Sequence, residues 1–153
     1  MKDLLIRDAR PVDLPVLLKF EQELIKAERP FDVTIKDTPI SYYDIESYIK
    51  NHDIKVVVAE YKNQVISSGY ALKKRASDFL KHDFYGHLGF MYTVEAFRGK
   101  GVNKKIVEVL KDWCFANNLN EIRLKVYYEN ESAIKAYQKA KFVCHMIEMR
   151  LDN

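Results

Sequence analysis

One boundary constrains the fold of this chain more than any other stretch. Leu88, Phe90, Tyr92 and Val94 alternate with His87, Gly89, Met91 and Thr93, which is the two-residue period of a strand. Val102, Ile106, Val109, Leu110 and Trp113 then recur at helical spacing up to about Asn118. Arg98-Gly99-Lys100-Gly101 joins the two patterns. A strand feeding straight into a long helix excludes an all-β barrel and an all-α bundle, and calls for helices packed on a sheet.

The rest of the chain fills in that frame. Leu4-Leu5-Ile6-Arg7 reads as a first strand. Asp13 then stands where an N-cap belongs, and Leu14, Leu17, Leu18, Leu24 and Ile25 form a helical stripe to about Glu28. Pro15 falls in the first turn, where a missing N–H costs little, and Arg29-Pro30 ends the helix. Ser41 is placed to cap a second helix carrying Tyr42, Ile45, Tyr48 and Ile49 on one face. Two β-branched runs, Ile54 to Tyr61 and Val65 to Leu72, flank Lys62-Asn63-Gln64 and predict a hairpin. Ile122, Leu124 and Val126 predict a strand, Asn130 caps a helix to about Ala140, and Val143 to Leu151 reads as a final strand. The order β-α-α-β-β-β-α-β-α-β predicts an α/β (α+β) domain with a mixed sheet, not a doubly wound parallel one.

Composition narrows the functional classes. The 153 residues suit one domain, residues 1–153. Apolar residues make up 48% and charged residues 31%, which argues against wholesale disorder. A net charge of +3 is too small to argue for nucleic acid. Cys114 and Cys144 cannot build a secreted disulfide framework. The first residues lack the apolar run of a signal peptide, and no stretch approaches the roughly 18 apolar residues of a membrane span. These features predict a soluble, cytoplasmic protein without a membrane partner. His52, His82, His87 and His145 show no zinc-type spacing with the cysteines, so no metal is expected.

The junction itself predicts an anion site. Gly99 and Gly101 let backbone amides approach a ligand, and the helix that follows presents unpaired N–H groups at its positive end. Lys100, Lys104 and Lys105 add positive charge, which suits a phosphate or pyrophosphate. Neither common phosphate loop fits. Asn103 and Lys104 break Walker spacing, and a dinucleotide fingerprint would need glycine at Lys104.

Two stretches carry a family resemblance. Met91-Tyr92-Thr93-Val94-Glu95-Ala96-Phe97-Arg98-Gly99-Lys100-Gly101-Val102 resembles the acetyl-CoA signature of the GNAT superfamily of N-acetyltransferases, Arg/Gln-x-x-Gly-x-Gly/Ala. Asn130 to Phe142 resembles the family's Asn-x-x-Ala-x-x-x-Tyr helix, which usually ends in Gly-Phe. The likeness is close from Leu88 to Phe142, and residues 1–87 agree in element order. It implies a centrally splayed mixed sheet with helices on both faces, and acetyl-CoA as cofactor. It also implies that the backbone of Met91, Tyr92 and Thr93 pairs with the pantetheine arm. Arg98, Gly99, Lys100, Gly101, Val102, Asn103 and Lys104 would then hold the pyrophosphate. Asn130 would bind near the arm, and Tyr137 would face the thioester sulfur. Two positions depart from the pattern. Asn103 replaces a small residue and either crowds a phosphate or donates to it. Lys141 replaces the glycine before Phe142, which costs about 1 kcal/mol if its φ is positive.

The implied chemistry is direct acetyl transfer to a primary amine of a small molecule or peptide. The amine must lose a proton before it attacks, a strand amide can stabilise the resulting oxyanion, and the leaving thiolate gains from a proton donor such as Tyr137. Glu21, a carboxylate beside an apolar stripe, and His87, with an ordinary pKa near 6.5, are the candidate bases. Glu95 lies close to the motif as a further carboxylate. Segments 24–42 and 73–87 are expected to wall the acceptor site, and the strand-rich ends and many aromatics are compatible with a homodimer. The rival readings are a non-catalytic acyl-CoA-binding regulatory module of the same fold and, last, a weak nucleic-acid binder.

Overall fold

A computed structural model describes residues 1–152. Five strands form one sheet in the order β1 (Leu4–Asp8), β2 (Ile54–Tyr61), β3 (Gln64–Arg75), β4 (Phe84–Thr93) and β5 (Ile122–Leu124). The first three pairings are antiparallel and β4–β5 is parallel, so the sheet is mixed. The helices are α1 (Leu14–Glu28), α2 (Ile45–Lys50), α3 (Val102–Ala116) and α4 (Glu131–Lys139).

Alternating strand side chains divide the core into two layers. On one face Val57, Ala59, Ile66 and Leu88 pack under the buried stripe Val102, Ile106, Val107, Leu110 and Cys114 of α3. On the other, Val56, Val58, Tyr70 and Phe90 pack under Leu17 and Phe20 of α1 and Ile45 of α2. Two-sided burial explains why β2 and β3 read as continuous apolar runs rather than alternating ones. The β2–β3 hairpin closes through Lys62 and Asn63, both at positive φ (50° and 63°), as a two-residue turn requires.

Two irregularities shape the site. Ser68 opposes Tyr92 while Tyr70 opposes Gly89, so β4 has an extra residue at this bulge, and Phe90 there takes φ 55°. Leu88 consequently faces α3, whereas Phe90 packs toward α1. In addition, β5 pairs β4 only from Gly86 to Leu88. From Gly89 to Thr93 β4 runs on without a strand on that side, and the sheet splays there.

Several local expectations are corrected. Asp13 precedes α1 but makes no side-chain bond to its amides. Its carboxylate instead accepts from Arg10 N at 2.7 Å and from both terminal nitrogens of Arg7 at 2.7 and 3.0 Å. Asp44, not Ser41, caps α2, accepting from Ser47 N at 3.1 Å. The strand predicted to reach Val126 stops at Leu124. Residues 143–151 form no ladder, and Val143, Met146, Ile147, Met149 and Leu151 are 74–89% exposed. An apolar alternating pattern makes a strand only where a neighbouring edge supplies hydrogen bonds, and none is supplied there.

Candidate active site

The splay and the start of α3 converge. Val94 N donates to Ile66 O, a helical turn at Glu95–Phe97 reverses the chain, and Arg98 Nε donates back to Thr93 O at 2.9 Å. The Arg98 guanidinium also lies 5.9 Å from the centre of the Tyr92 ring. Gly99 and Gly101 take φ +72° and +77°, and no atom lies within 4 Å of where a Cβ would stand on either. Gly101 caps α3 without any side chain satisfying the first-turn amides. The amides of Val102, Asn103 and Lys104 therefore face an open, positively biased space. The predicted anion cradle and the unpaired end of β4 are brought together.

Asn103 sits in the first turn of α3 with its Oδ1 buried and unpartnered. The side-chain carbonyl is thus shielded from solvent without a hydrogen-bond donor. Asn130 caps α4 by accepting from Ala133 N at 3.3 Å. Tyr137 packs against the α3-side core with its ring edge-on to Phe142 at 6.2 Å. Burial, reinforced by the negative charge of Glu28, pushes its hydroxyl up to about 12, so it stays protonated at neutral pH.

The candidate bases separate. Glu21 is fully buried, and its carboxylate accepts from Tyr42 N and Tyr43 N at 2.8 Å each and from Ser41 Oγ at 3.0 Å. Those bonds fasten the 41–43 segment to α1. His87 lies 6.3 Å from the Tyr70 ring on the opposite face of the sheet from Leu88. Burial first, then the charges of Lys74 and Lys125, lower it to about 4, so the imidazole is neutral but weakly basic. Glu95 is exposed.

A different carboxylate occupies the more suggestive position. Glu28 ends α1, and burial raises its pKa, with Asp32 adding to the effect and Tyr42 opposing it. The buried Tyr42 hydroxyl neighbours Glu28 without completing a well-formed hydrogen bond to it. Tyr127 donates to Asp32 Oδ2 at 3.2 Å and stacks on Phe31. Glu28, Asp32, Tyr42 and Tyr127 thus gather in an acidic, aromatic region, and the charge of Glu28 acts on Tyr137. Sequence reasoning passed over Glu28 because it reads as an ordinary polar residue in the last turn of an amphipathic helix. Only the fold of 29–43 over it reveals its burial.

The residues present fit a CoA pyrophosphate and an extended arm: open amides at a helix start, glycines without neighbours, and an unpaired strand edge. Among the described residues no helix is long and apolar enough to cross a membrane, and no group of three or more His, Cys, Asp or Glu could hold a metal ion.

Comparison with known proteins agrees with this geometry. Residues 20–142 match the model of the acetyltransferase (GNAT) family. A 60-residue stretch, 39% of the chain, is 35% identical to an uncharacterized N-acetyltransferase, YobR, of Bacillus subtilis (strain 168), and spans 24% of that protein. The fold superposes on a tetramutant of the BH1408 protein of Bacillus halodurans with a TM-score of 0.83, at 17% identity, covering 97% of this chain and 99% of that one. It also superposes on a predicted acetyltransferase with acetyl-CoA from Clostridium acetobutylicum, with a TM-score of 0.72 at 18% identity, covering 97% and 96% of the two chains. With its splayed mixed sheet, its glycine turn opening α3 and a family match over most of its length, the chain belongs to the acetyltransferase (GNAT) family.

Proposed function

We propose that this chain is a single-domain, acetyl-CoA-dependent N-acetyltransferase that acts in the cytoplasm on a primary amine of a small molecule or peptide. The observation that carries the reading is the meeting of the unpaired Gly89–Thr93 edge with the open amides that follow Gly99 and Gly101. Two free cysteines, one buried and one exposed, are compatible with a reducing compartment. A homodimer is part of the same reading.

Bound acetyl-CoA supplies an activated acetyl thioester. The chain's own groups then divide the work. The backbone of Met91, Tyr92 and Thr93 offers an edge for an extended arm, and amides from Gly99 to Lys104 hold two phosphates at the positive end of α3. Arg98 ties the loop to Thr93 and so fixes the distance between those two subsites. Asn130, anchored as a helix cap, presents its amide near the arm. Tyr137, held protonated, donates to a departing thiolate.

Proton removal from the amine falls to Glu28 in this reading. Glu21 has its lone pairs committed to three donors, and His87 is a weak base. The raised pKa of Glu28 makes it a better proton acceptor than an ordinary carboxylate, and Asp32 beside it favours a cationic acceptor. Calorimetric titration with acetyl-CoA, followed by a thiol-release assay over a panel of amines, tests the proposal. We expect saturable binding, and Tyr137→Phe to lower kcat by about 10²-fold while cofactor affinity stays within about twofold. No binding at millimolar acetyl-CoA rejects the enzyme. Binding without transfer to any amine favours the regulatory module, and equal kcat in the variant removes Tyr137 from the chemistry.

A further inference from the structure

We infer that the acceptor of this chain is a primary amine whose far end carries an anion, a carboxylate or a phosphate, held by Lys125, Arg123 and Lys74. The inference rests on the transferase reading above and deepens it by naming the substrate class.

The three cations come from two sides of β4 and meet on one face of the sheet. Along β5 and the residues after it, Arg123, Lys125 and Tyr127 recur at every second position, the spacing that puts side chains on one side of an extended chain. Their surroundings identify that side. The Arg123 guanidinium lies 5.2 Å from the centre of the Tyr85 ring, the charge of Lys125 acts on His87, and Tyr127 reaches Asp32 and Phe31 in the segment after α1. His87 is turned toward Tyr70, on the face that α1 and α2 cover. Lys74 acts on the same imidazole from β3. It stands opposite Tyr85, two residues along β4 from His87, while Arg123 stands beside His87 itself.

The chain leaves this group of charges uncompensated. Among the described residues, Lys74 and Lys125 form no ion pair. Glu121 accepts from Arg123 through Nε alone, at 2.9 Å. Strands two apart in a sheet are separated by about 10 Å, so the cations of β3 and β5 flank His87 closely enough to repel one another. An anion over His87 relieves that repulsion from both sides. The imidazole is neutral at neutral pH and adds an N–H donor there.

The opposite polarity lies at the other end of the same line. Tyr127 borders Glu28 and Asp32, where the reacting amine is placed in this reading. At about 3.3 Å per residue, Lys125 is at most about 7 Å and Arg123 at most about 13 Å from Tyr127 along the chain. An amine at Glu28 therefore brings its anion to the cations when the two groups are about 7–13 Å apart. An ω-amino acid, a short peptide with a free carboxyl end and an aminoalkyl phosphate all have that form. A polyamine sets a second ammonium against three cations, and a simple monoamine leaves them unmatched.

Four amines with one hexyl chain test the inference: ω-aminohexanoate, ω-aminohexyl phosphate, ω-aminohexanol and hexamethylenediamine. In a thiol-release assay with acetyl-CoA, kcat/KM should be at least about tenfold higher for the carboxylate or the phosphate than for the alcohol, and lowest for the diamine. The better of the two anionic amines identifies the source of the anion. Lys74→Glu combined with Lys125→Glu should reverse the order, raising turnover of the diamine above that of the parent, a gain that a misfolded variant cannot show. The second arm needs no turnover. The His87 imidazole signals, followed by NMR with and without CoA, should shift with the two anionic amines and not with the alcohol, and the double variant should lose that response. If no amine is acetylated, the transferase reading falls while this arm still decides the anion subsite. A kinetic order that ignores the far-end charge, or a His87 response that ignores it, overturns the inference.

Discussion

Lys141 shows how much one backbone angle can carry. It takes φ 74° just past the end of α4, where glycine is the natural occupant. Lys141 N donates to Gln138 O and Phe142 N to Tyr137 O, each at 3.0 Å, which is the double bond of a Schellman motif. The accompanying apolar contact is Phe142 on Tyr137, so the motif that ends the helix also seats the proposed proton donor. A non-glycine residue in this region is strained by about 1 kcal/mol or more. Lys141→Gly should therefore stabilise the protein by about 1 kcal/mol in urea unfolding, with kcat changed by less than about twofold; an unchanged or lower midpoint would contradict the strain. Legibility at this scale follows the range of the interaction. Asn130 was readable as a cap because its partner is three residues away, and Lys141 because a glycine was missing from a local pattern. At Asp13 the local cap pattern is overridden, because the Arg7 guanidinium at the end of β1 and the amide of Arg10 claim the carboxylate first.

Between elements, the decisive contact is Glu21 with the 41–43 segment. Its three bonds hold Tyr43 against Tyr70 and Phe90, 5.4 and 5.3 Å away between ring centres, and bring Tyr42 toward Glu28. A fully buried carboxylate satisfied in this way is a fastening between α1 and the chain that would roof the proposed acceptor region. Glu28 sits two turns later on the same helix and is not so bound. The two carboxylates should fail differently. Glu21→Ala strands two backbone amides in the interior and should cost about 2–4 kcal/mol of stability, with catalysis lost through unfolding of the roof. Glu28→Gln should leave the unfolding midpoint nearly unchanged while lowering kcat/KM by about 10²-fold and removing the acidic limb of its pH profile. Equal loss of stability in both variants would assign Glu28 a fastening role too. The stripe of α1 was plain from spacing alone, yet the jobs of Glu21 and Glu28 were not, since each depends on where a loop of irregular backbone comes to rest.

Across the whole molecule, acid stability follows from groups that touch different layers. His87 has a folded-state pKa of about 4 against an ordinary 6.5, with Lys74 of β3 and Lys125 beyond β5 opposing its protonation. Its neutral form is the one the fold accepts, so the associated stability is complete above about pH 6.5 and is lost as pH falls toward 4. A shift of that size corresponds to about 3 kcal/mol, less any relaxation that admits water. Asp13, lowered chiefly by its bonds with Arg7, contributes above the ordinary carboxylate range and fails only at still lower pH. Glu28 works in the opposite sense, because a carboxyl pKa raised by burial favours the protonated form in the fold and slightly offsets the loss as pH falls. Urea unfolding between pH 8 and 3 should then show a plateau, a decline beginning near 6.5, and a steeper fall once Asp13 titrates. His87→Gln should flatten the first decline and leave the second in place. A variant that declines like the parent between pH 6.5 and 4 would mean that the imidazole charges in the folded state at little cost, and that the layer around Tyr70 is wetter than its packing implies.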